Sequence, residues 1–173
     1  LFAALRFVER GVPCVLLERG KECAQRMLKI NRYWRYGELD PDNNVCYGEG
    51  GAGLYSDGKL ITRIKSEFIP YVLDRLIQFG APEEIRYLSN PHVGSDRIRR
   101  VIPKLREFLK EKGCEIHFET KAEKILAKNN KIIGCESKDG RSFHSEDIIL
   151  ATGHSANDTV SYTHLTLPTM ELV

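Results

Sequence analysis

The feature that most constrains the fold of this chain is a glycine-rich stretch over residues 48–60, GEGGAGLYSDGKL, between two ordinary hydrophobic segments. Five of its thirteen residues are glycine. Glycine loses more conformational freedom on folding than any other residue, so this density requires a reason, and the usual one is backbone held close to a ligand. We name residues 48–60 the glycine block and expect it to form part of a binding site.

The first eighteen residues predict a helix, a tight turn and a buried strand. Apolar side chains recur at helical spacing over residues 1–8, and Gly11 suits a helix C-cap. Residues 12–17 form a compact apolar run that Glu18 ends. This order matches the second half of a Rossmann βαβ unit, in which the ribose-binding acid follows a Gly-x-Gly-x-x-Gly turn by about 20 residues. We therefore expect the first strand and that turn to precede Leu1.

The rest of the chain predicts helices followed by a β-meander. Residues 23–36 indicate a short basic helix or an irregular segment, and 68–79 indicate a helix. Ser95 is the expected N-cap of a longer helix that stops at 112–113. The pair Asn129-Asn130 marks the turn of a hairpin. The strands are predicted at 114–118, 125–127, 132–135, 141–144 and 148–150.

Composition and charge argue against several classes of function. The 173 residues carry a formal net charge of +2, which favours neither a nucleic-acid binder nor a polybasic membrane surface. No apolar run approaches the roughly 18 residues of a membrane-spanning helix. The five cysteines are scattered singly, without the C-x-x-C spacing of a zinc site or a redox pair. This unpaired set favours a reducing, cytoplasmic compartment.

Four segments together resemble a known family. They are LERG at 17–20, YGEGGAGLYSDGKL at 47–60, PHVG at 91–94 and LATGHS at 150–155. In this order they resemble the glutathione-reductase-like Rossmann flavoproteins with two dinucleotide-binding domains. They resemble more closely the family of uncharacterised NAD(P)/FAD-dependent oxidoreductases, or FAD-dependent dehydrogenases. The resemblance covers residues 1–159.

The resemblance implies an α/β fold, an FAD-binding Rossmann-like domain with a parallel sheet plus a β-meander, truncated at both ends. Residues 1–159 are expected to form this partial domain, with the first strand and its GxGxxG missing and a helical segment over 66–112. Residues 160–173 resemble translated sequencing adapter. We therefore expect a non-native tail there and assign it no function.

The expected FAD site centres on Glu18 and the glycine block. A carboxylate at the end of the strand accepts hydrogen bonds from ribose hydroxyls and disfavours a 2′-phosphate. Residues 48–53 match Gly-x-Gly-x-x-Gly formally, but the block lacks the preceding strand and following helix of a Rossmann start. We interpret it as a loop whose amides approach the pyrophosphate and the flavin. The expected cofactor-binding residues are Glu18, Arg19, Gly48, Gly50, Gly51, Ala52, Gly53, Ser56, Ala122, Ala151, Thr152 and Gly153.

Three residues are candidates for catalysis next to the flavin. Lys59 is expected to face the flavin edge, where a cation stabilises the reduced anion; a solvated lysine after a turn is the alternative. His154 is the best titratable candidate, although an ordinary hydrogen-bonded histidine suits the sequence at least as well. The family resemblance places His92 on the substrate side.

The sequence thus predicts part of a cytoplasmic FAD-dependent oxidoreductase that transfers hydride through the flavin on a small-molecule substrate, with no nucleic-acid or membrane partner. The substrate, the oligomeric state and the use of NAD(P)H as reductant stay open. Two alternatives also stay open, an NAD-binding dehydrogenase with a single Rossmann domain and a non-catalytic flavin- or nucleotide-binding module. Without its phosphate-binding turn the fragment itself is expected to be inactive.

Overall fold

The computed structural model describes residues 1–56 and 58–153, and the chain divides into two compact units. The first unit is Leu1–Glu119, and the second begins at Thr120. The first contains a small parallel sheet and the second an antiparallel sheet. The fold is therefore mixed α/β, and the expectation of a parallel sheet plus a β-meander is confirmed at this level.

The described part of the first unit contains four α-helices and two strands. The segment over 23–36, expected to be a short basic helix or an irregular segment, is a helix, and the helix predicted over 68–79 is confirmed to within one residue at each end. None of the helices in the described residues has both the length and the apolar content of a membrane span. The elements are α1 (Phe2–Glu9), β1 (Val15–Leu17), α2 (Cys23–Tyr36), α3 (Ile69–Gln78), α4 (Ser95–Glu111) and β2 (Glu115–His117), with 3-10 helices at Gly51–Tyr55 and Glu83–Arg86.

Strands β1 and β2 pair in parallel, with Leu16 opposite Ile116. Each strand is three residues long, shorter than the apolar runs over 12–17 and 114–118 from which it was predicted. Val12 and Val15 are 45% and 48% exposed, so the core does not cover the beginning of the first run. Apolar composition alone therefore overstates the extent of the buried strand.

The core of the first unit lies where α1, α3 and α4 contribute apolar side chains. Leu5, Val101, Leu105 and Leu109 are all 0% exposed. The three from α4 follow one another at intervals of four residues, which places them on one face of the helix. The apolar stripe predicted for this helix is thus confirmed as its buried face.

The start of α4 differs from the prediction. Its N-cap is Gly94, with a φ of +83°, and Ser95 is the first helical residue; within the described residues no side-chain hydrogen bond caps this end of the helix. A Cβ added to Gly58 would lie 2.9 Å from the Gly94 nitrogen. The close approach of these two glycines fixes the turn that enters the helix, and the serine therefore lies one residue beyond the cap position.

Helix α4 continues through Pro103. Proline has no N–H group, so the carbonyl oxygen of Arg99, four residues earlier, loses its partner within the helix. The Cys23 thiol in α2 lies 3.9 Å from that oxygen and donates to it. This contact links the beginning of α2 to α4 at the point where the helix lacks a hydrogen bond.

The second unit is an antiparallel meander of β3 (Ala122–Lys128), β4 (Lys131–Ser137) and β5 (Ser142–His144). Asn129 and Asn130 join β3 to β4 with φ angles of +52° and +60°. Asparagine tolerates this left-handed region, which two-residue hairpin turns require at both positions. The hairpin predicted around this pair is confirmed.

The strand predicted over 148–150 is wrong. These residues form no strand, and Ile149 is 59% exposed. An apolar run becomes a strand only when a neighbour pairs with its backbone, and within the described residues none does so here. Consequently Ala151, Thr152 and Gly153 do not follow the end of a strand, and all three are exposed.

The turn between β4 and β5 leads to a pH prediction. Arg141 Nε donates to Asp139 Oδ2 at 2.8 Å, and the Ser137 hydroxyl donates to Oδ1. These hydrogen bonds, that of Arg141 first, lower the pKa of Asp139 to about 2 from its usual 3.8. Because the folded pKa is depressed, the ionised carboxylate stabilises the turn above pH 3.8, and this contribution is lost as the pH falls toward about 2.

We expect Arg141→Met to raise the titration midpoint of the Asp139 carboxyl toward 3.8, measured by carbon-13 NMR between pH 1.5 and 5 (roughly the range in which a carboxyl titrates). Lys138→Met is the matched control, because it removes a neighbouring cation and leaves the Arg141 hydrogen bond in place. Equal midpoints in the wild type and in Arg141→Met would contradict the assignment.

Candidate functional site

Glu18 lies at the carboxyl end of β1 and ties the glycine block to the sheet. Its Oε1 accepts hydrogen bonds from the backbone N–H of Gly20 at 2.8 Å and of Gly48 at 3.0 Å. The Glu18 amide in turn donates to the His117 carbonyl of β2 at 2.8 Å. In open α/β sheets, ligands bind beyond the carboxyl ends of parallel strands. The predicted ribose-binding acid therefore occupies the sheet edge at which a ligand is expected.

Gly20 and Gly48 are in close backbone contact. A Cβ added to Gly20 would lie 2.6 Å from both Cα and N of Gly48, closer than any side chain permits. Gly48 has a φ of +111°, which an L-residue with a side chain rarely adopts. Gly20 is therefore required by the backbone contact and Gly48 by its positive φ, whether or not a ligand binds.

A buried arginine, Arg26, binds main-chain carbonyls of the glycine block. The Arg26 side chain of α2 is 0% exposed, and its hydrogen bonds go to main-chain carbonyls. Nη1 donates to the oxygens of Glu49 and Gly51, the latter at 3.0 Å. Nη2 donates to the oxygens of Asn44 at 2.9 Å and Val45 at 3.1 Å. One guanidinium thus joins two separate stretches of the loop.

These contacts orient the peptide groups of the block. In a planar trans peptide the C=O of one residue and the N–H of the next point in opposite directions. Since the Glu49 and Gly51 carbonyls face Arg26, the amides of Gly50 and Ala52 point away from it, and both residues are exposed. The amides of Glu49 and Gly51 are used internally, bonding to the Lys21 and Gly48 carbonyls at 3.0 Å each.

Two arginines of α4 complete the support. Arg99 Nε donates to the Leu54 carbonyl at 3.1 Å, and Arg106 Nη1 donates to Glu49 Oε2 at 2.9 Å. Seven residues separate the two arginines, so they lie on the same side of the helix. The guanidinium carbons of Arg99 and Arg26 lie 5.1 Å and 4.9 Å from the centroid of the Tyr55 ring. Arg99 and Arg26 therefore stabilise the 3-10 helix at Gly51–Tyr55.

Sequence reasoning missed Arg26, Arg99 and Arg106. Arg99 and Arg106 belong to a helix predicted from its apolar stripe, whereas Arg26 belongs to a segment interpreted as a short basic helix or an irregular segment. The signal that was available is the interval of seven residues between two arginines directly beside the apolar stripe of α4.

Glu49 is a buried carboxylate in the middle of the block. It is 6% exposed, and its Oε2 accepts from the Cys23 amide at 2.7 Å as well as from Arg106. Burial raises the pKa of Glu49 above its usual value, and these two donors act in the opposite direction. For the cationic Arg26 side chain, burial has the opposite effect and lowers the pKa. The Glu49 carboxylate therefore has a structural role, because it is buried and already paired with donors of the protein.

Arg19, a predicted cofactor ligand, is engaged within the protein. Its Nε donates to Asp42 Oδ1, its Nη2 donates to the Pro41 carbonyl at 3.1 Å, and its guanidinium carbon lies 4.2 Å from the Tyr47 ring centroid. These contacts hold the turn before the glycine block against the end of β1. Its role at a cofactor stays a prediction.

Lys59 and His92, two of the predicted catalytic residues, are brought together by an isolated antiparallel bridge. The Leu60 amide donates to the Pro91 carbonyl at 2.8 Å, and the Val93 amide donates to the Gly58 carbonyl at 2.9 Å. Both Lys59 and His92 are exposed, and His92 lines an open cavity of about 550 Å³. The sequence predicted a role for each residue but not their proximity.

The other predicted residues have different positions. Ser56 Oγ donates to the Gly53 carbonyl at 3.0 Å and accepts from the Gly58 amide at 3.2 Å, so it shapes a turn. Ala122 begins β3 in the second unit and is exposed. His154 lies outside the described residues. In the described part of the chain, no group of three or more His, Cys, Asp or Glu side chains is arranged to hold a metal ion.

The comparison with known proteins gave a relative whose function is uncharacterized. The chain is 42% identical over 159 residues to an uncharacterized protein of Clostridium beijerinckii. The matched region is 92% of this chain and 30% of that protein, so the chain spans less than a third of the relative's length. No protein-family model matches the chain.

The contact between Gly20 and Gly48 gives a prediction for stability. We expect Gly20→Ala to lower the free energy of unfolding by about 1–3 kcal/mol, because its methyl group would overlap the Gly48 backbone. The measurement is urea unfolding followed by circular dichroism. Gly53→Ala is the matched control, since a Cβ there meets nothing within 4 Å, and its effect should stay within about 0.5 kcal/mol. Equal losses in the two variants would contradict the packing argument.

Proposed function

We propose that this chain forms part of the FAD-binding region of a flavin-dependent oxidoreductase. The observation that carries the proposal is the position of Glu18, at the carboxyl end of a parallel strand and hydrogen-bonded to the first residue of the glycine block. The resemblance of the four sequence motifs to FAD-dependent dehydrogenases supports the same conclusion. The substrate is proposed only as a small molecule that exchanges hydride with the flavin.

The adenosine end of the cofactor is assigned to Glu18. Its Oε1 is used by two backbone amides, whereas its Oε2 accepts no hydrogen bond from the described residues. An ionised carboxylate is a stronger acceptor for a ribose hydroxyl than a neutral group. The Oε2 acceptor therefore fits a donating hydroxyl of an adenosine ribose without rearrangement of the Glu18–Gly48 contact.

The exposed part of the glycine block is assigned to the middle of the cofactor. Gly53 has no positive φ, and no atom of the described residues lies within 4 Å of an added Cβ, so this part of the fold does not require glycine there. A molecule that lies against this surface would require it. The outward amides of Gly50 and Ala52 are the polar groups on the same exposed stretch.

The substrate end is assigned to the paired backbones of Lys59 and His92. Bound flavin would supply the hydride acceptor or donor at its N5 atom. Lys59 would contribute a positive charge near the ring, and His92 would hold or release a proton at its imidazole on the cavity side. His154 stays a further candidate, and NAD(P)H stays a candidate reductant.

Retention of flavin is the direct test. We expect the chain, or the full-length Clostridium relative prepared in parallel, to retain FAD through gel filtration and to absorb at about 450 nm. Bleaching by dithionite would show that the bound flavin is redox-active. If both proteins are folded and neither can be reconstituted with FAD, the proposal is wrong, and calorimetric titration with NAD then tests the single-Rossmann alternative. Bound flavin that supports no turnover with any reductant would instead favour the non-catalytic module.

Glu18→Gln tests the assignment of the adenosine end. The amide oxygen keeps an acceptor for Gly20 and Gly48, but the negative charge is lost, so we expect FAD affinity to fall by about 10–100-fold. The readout is fluorescence titration of the purified variant. Glu38→Gln removes an exposed acid that pairs with Arg32 and serves as the control, with unchanged affinity. Equal affinity in Glu18→Gln and the wild type would remove Glu18 from the site.

A further inference from the structure

We propose that Arg26 is a positioning residue, whose guanidinium fixes the path of residues 44–51 and thereby the ligand-facing side of the glycine block. Its consequence for cofactor binding rests on the function proposed above. Its consequence for loop conformation does not, because it follows from the hydrogen bonds of the protein alone.

Arg26 carries a buried charge, and the carboxylates of Glu18 and Glu49 lie near enough to raise its pKa against the effect of burial. Arg26 is 0% exposed, and within the described residues its hydrogen bonds go to four main-chain oxygens and to no carboxylate. A buried cation without a paired anion is unfavourable unless dipoles compensate for the lost water. Here the compensating dipoles belong to the loop itself. The charge and the conformation of the loop therefore depend on each other.

The shape of the guanidinium determines which stretches are joined. Nη1 binds the carbonyls of Glu49 and Gly51, and Nη2 binds those of Asn44 and Val45. A planar fork reaches both stretches at once, whereas the single ammonium of lysine concentrates its three donors at one point. Lysine at this position would hold one stretch and release the other.

Gly48 packs directly against the Arg26 side chain. Arg26 Nε is buried and has no hydrogen-bond partner among the residues that the structure describes. A Cβ on Gly48 would lie 2.4 Å from the Arg26 Cδ and 2.5 Å from Nε, so the arginine stem lies directly against the glycine backbone. Gly48→Ala would displace the guanidinium and should therefore have the same effect as removing it.

Arg26→Met and Arg26→Lys test the proposal by hydrogen exchange measured on peptides. We expect amides in residues 44–53 to exchange about tenfold faster in Arg26→Met, because four carbonyls lose their donor. Peptides from α1 and α3 should keep their wild-type rates. Arg26→Lys should restore protection in only one of the two stretches. Arg32→Met is the control on the same helix, since Arg32 is 58% exposed and pairs with Glu38.

Chemical rescue separates positioning from simple packing. In Arg26→Ala, guanidinium chloride at low, non-denaturing concentration should restore protection of residues 44–53, and equal sodium chloride should not. Restoration by both salts, or by neither, would overturn the proposal. Gly48→Ala serves as an independent test if the Arg26 variants do not fold, and wild-type exchange of residues 44–53 in that variant would also overturn it.

The outcomes distinguish this inference from the proposed function. If wild-type protein retains no FAD but Arg26→Met loses protection only in residues 44–53, the proposed function fails and the conformational role stands. If Arg26→Met loses that protection and still binds FAD with wild-type affinity, Arg26 does not position the binding surface. Uniformly faster exchange in α1, α3 and the loop would show that Arg26 only supports the fold.

Discussion

The interaction on which the candidate site depends is the contact between one buried guanidinium and four main-chain carbonyls. An irregular loop has no ladder of backbone hydrogen bonds, so its buried carbonyls require partners from elsewhere. Arg26 provides them for residues 44–51, while Arg99 binds the Leu54 carbonyl and Arg106 binds the Glu49 carboxylate. The helices thus supply the donors that the loop cannot supply itself, and the opposite side of the loop is left exposed.

The glycines of the block have different causes. Gly48 lies against Gly20 and the Arg26 stem, and a Cβ on Gly50 would meet the Leu54 side chain at 2.6 Å. These positions are explained by packing. Gly51 and Gly53 have open space around an added Cβ, and Gly53 also lacks a positive φ. A high density of glycine therefore combines two separate requirements, and only the part that faces solvent bears on a ligand.

Local patterns predicted the elements whose formation is decided locally. Sequence patterns located α3 and α4, and the Asn129-Asn130 pair located the β3–β4 hairpin, because each signal lies within the element that it predicts. For α2 the sequence left a short basic helix and an irregular segment both open. The strand expected over 148–150 failed since pairing requires a neighbour that an apolar run does not specify. Arg26 was missed for a similar reason: its bonds join residues 18 to 25 positions apart, and no periodicity connects a helix residue to loop carbonyls.

The bridge between Lys59 and His92 bears on the proposed dinucleotide site. A dinucleotide is elongated, so its site requires two separate ends joined by a surface that its middle part can follow. Glu18 is hydrogen-bonded to Gly48 at the beginning of the glycine block, the backbone bridge at Lys59 lies near its end, and Gly50, Ala52 and Gly53 are exposed between them. The dinucleotide proposed above would therefore lie against the outward side of this stretch, where the amides of Gly50 and Ala52 point away from Arg26.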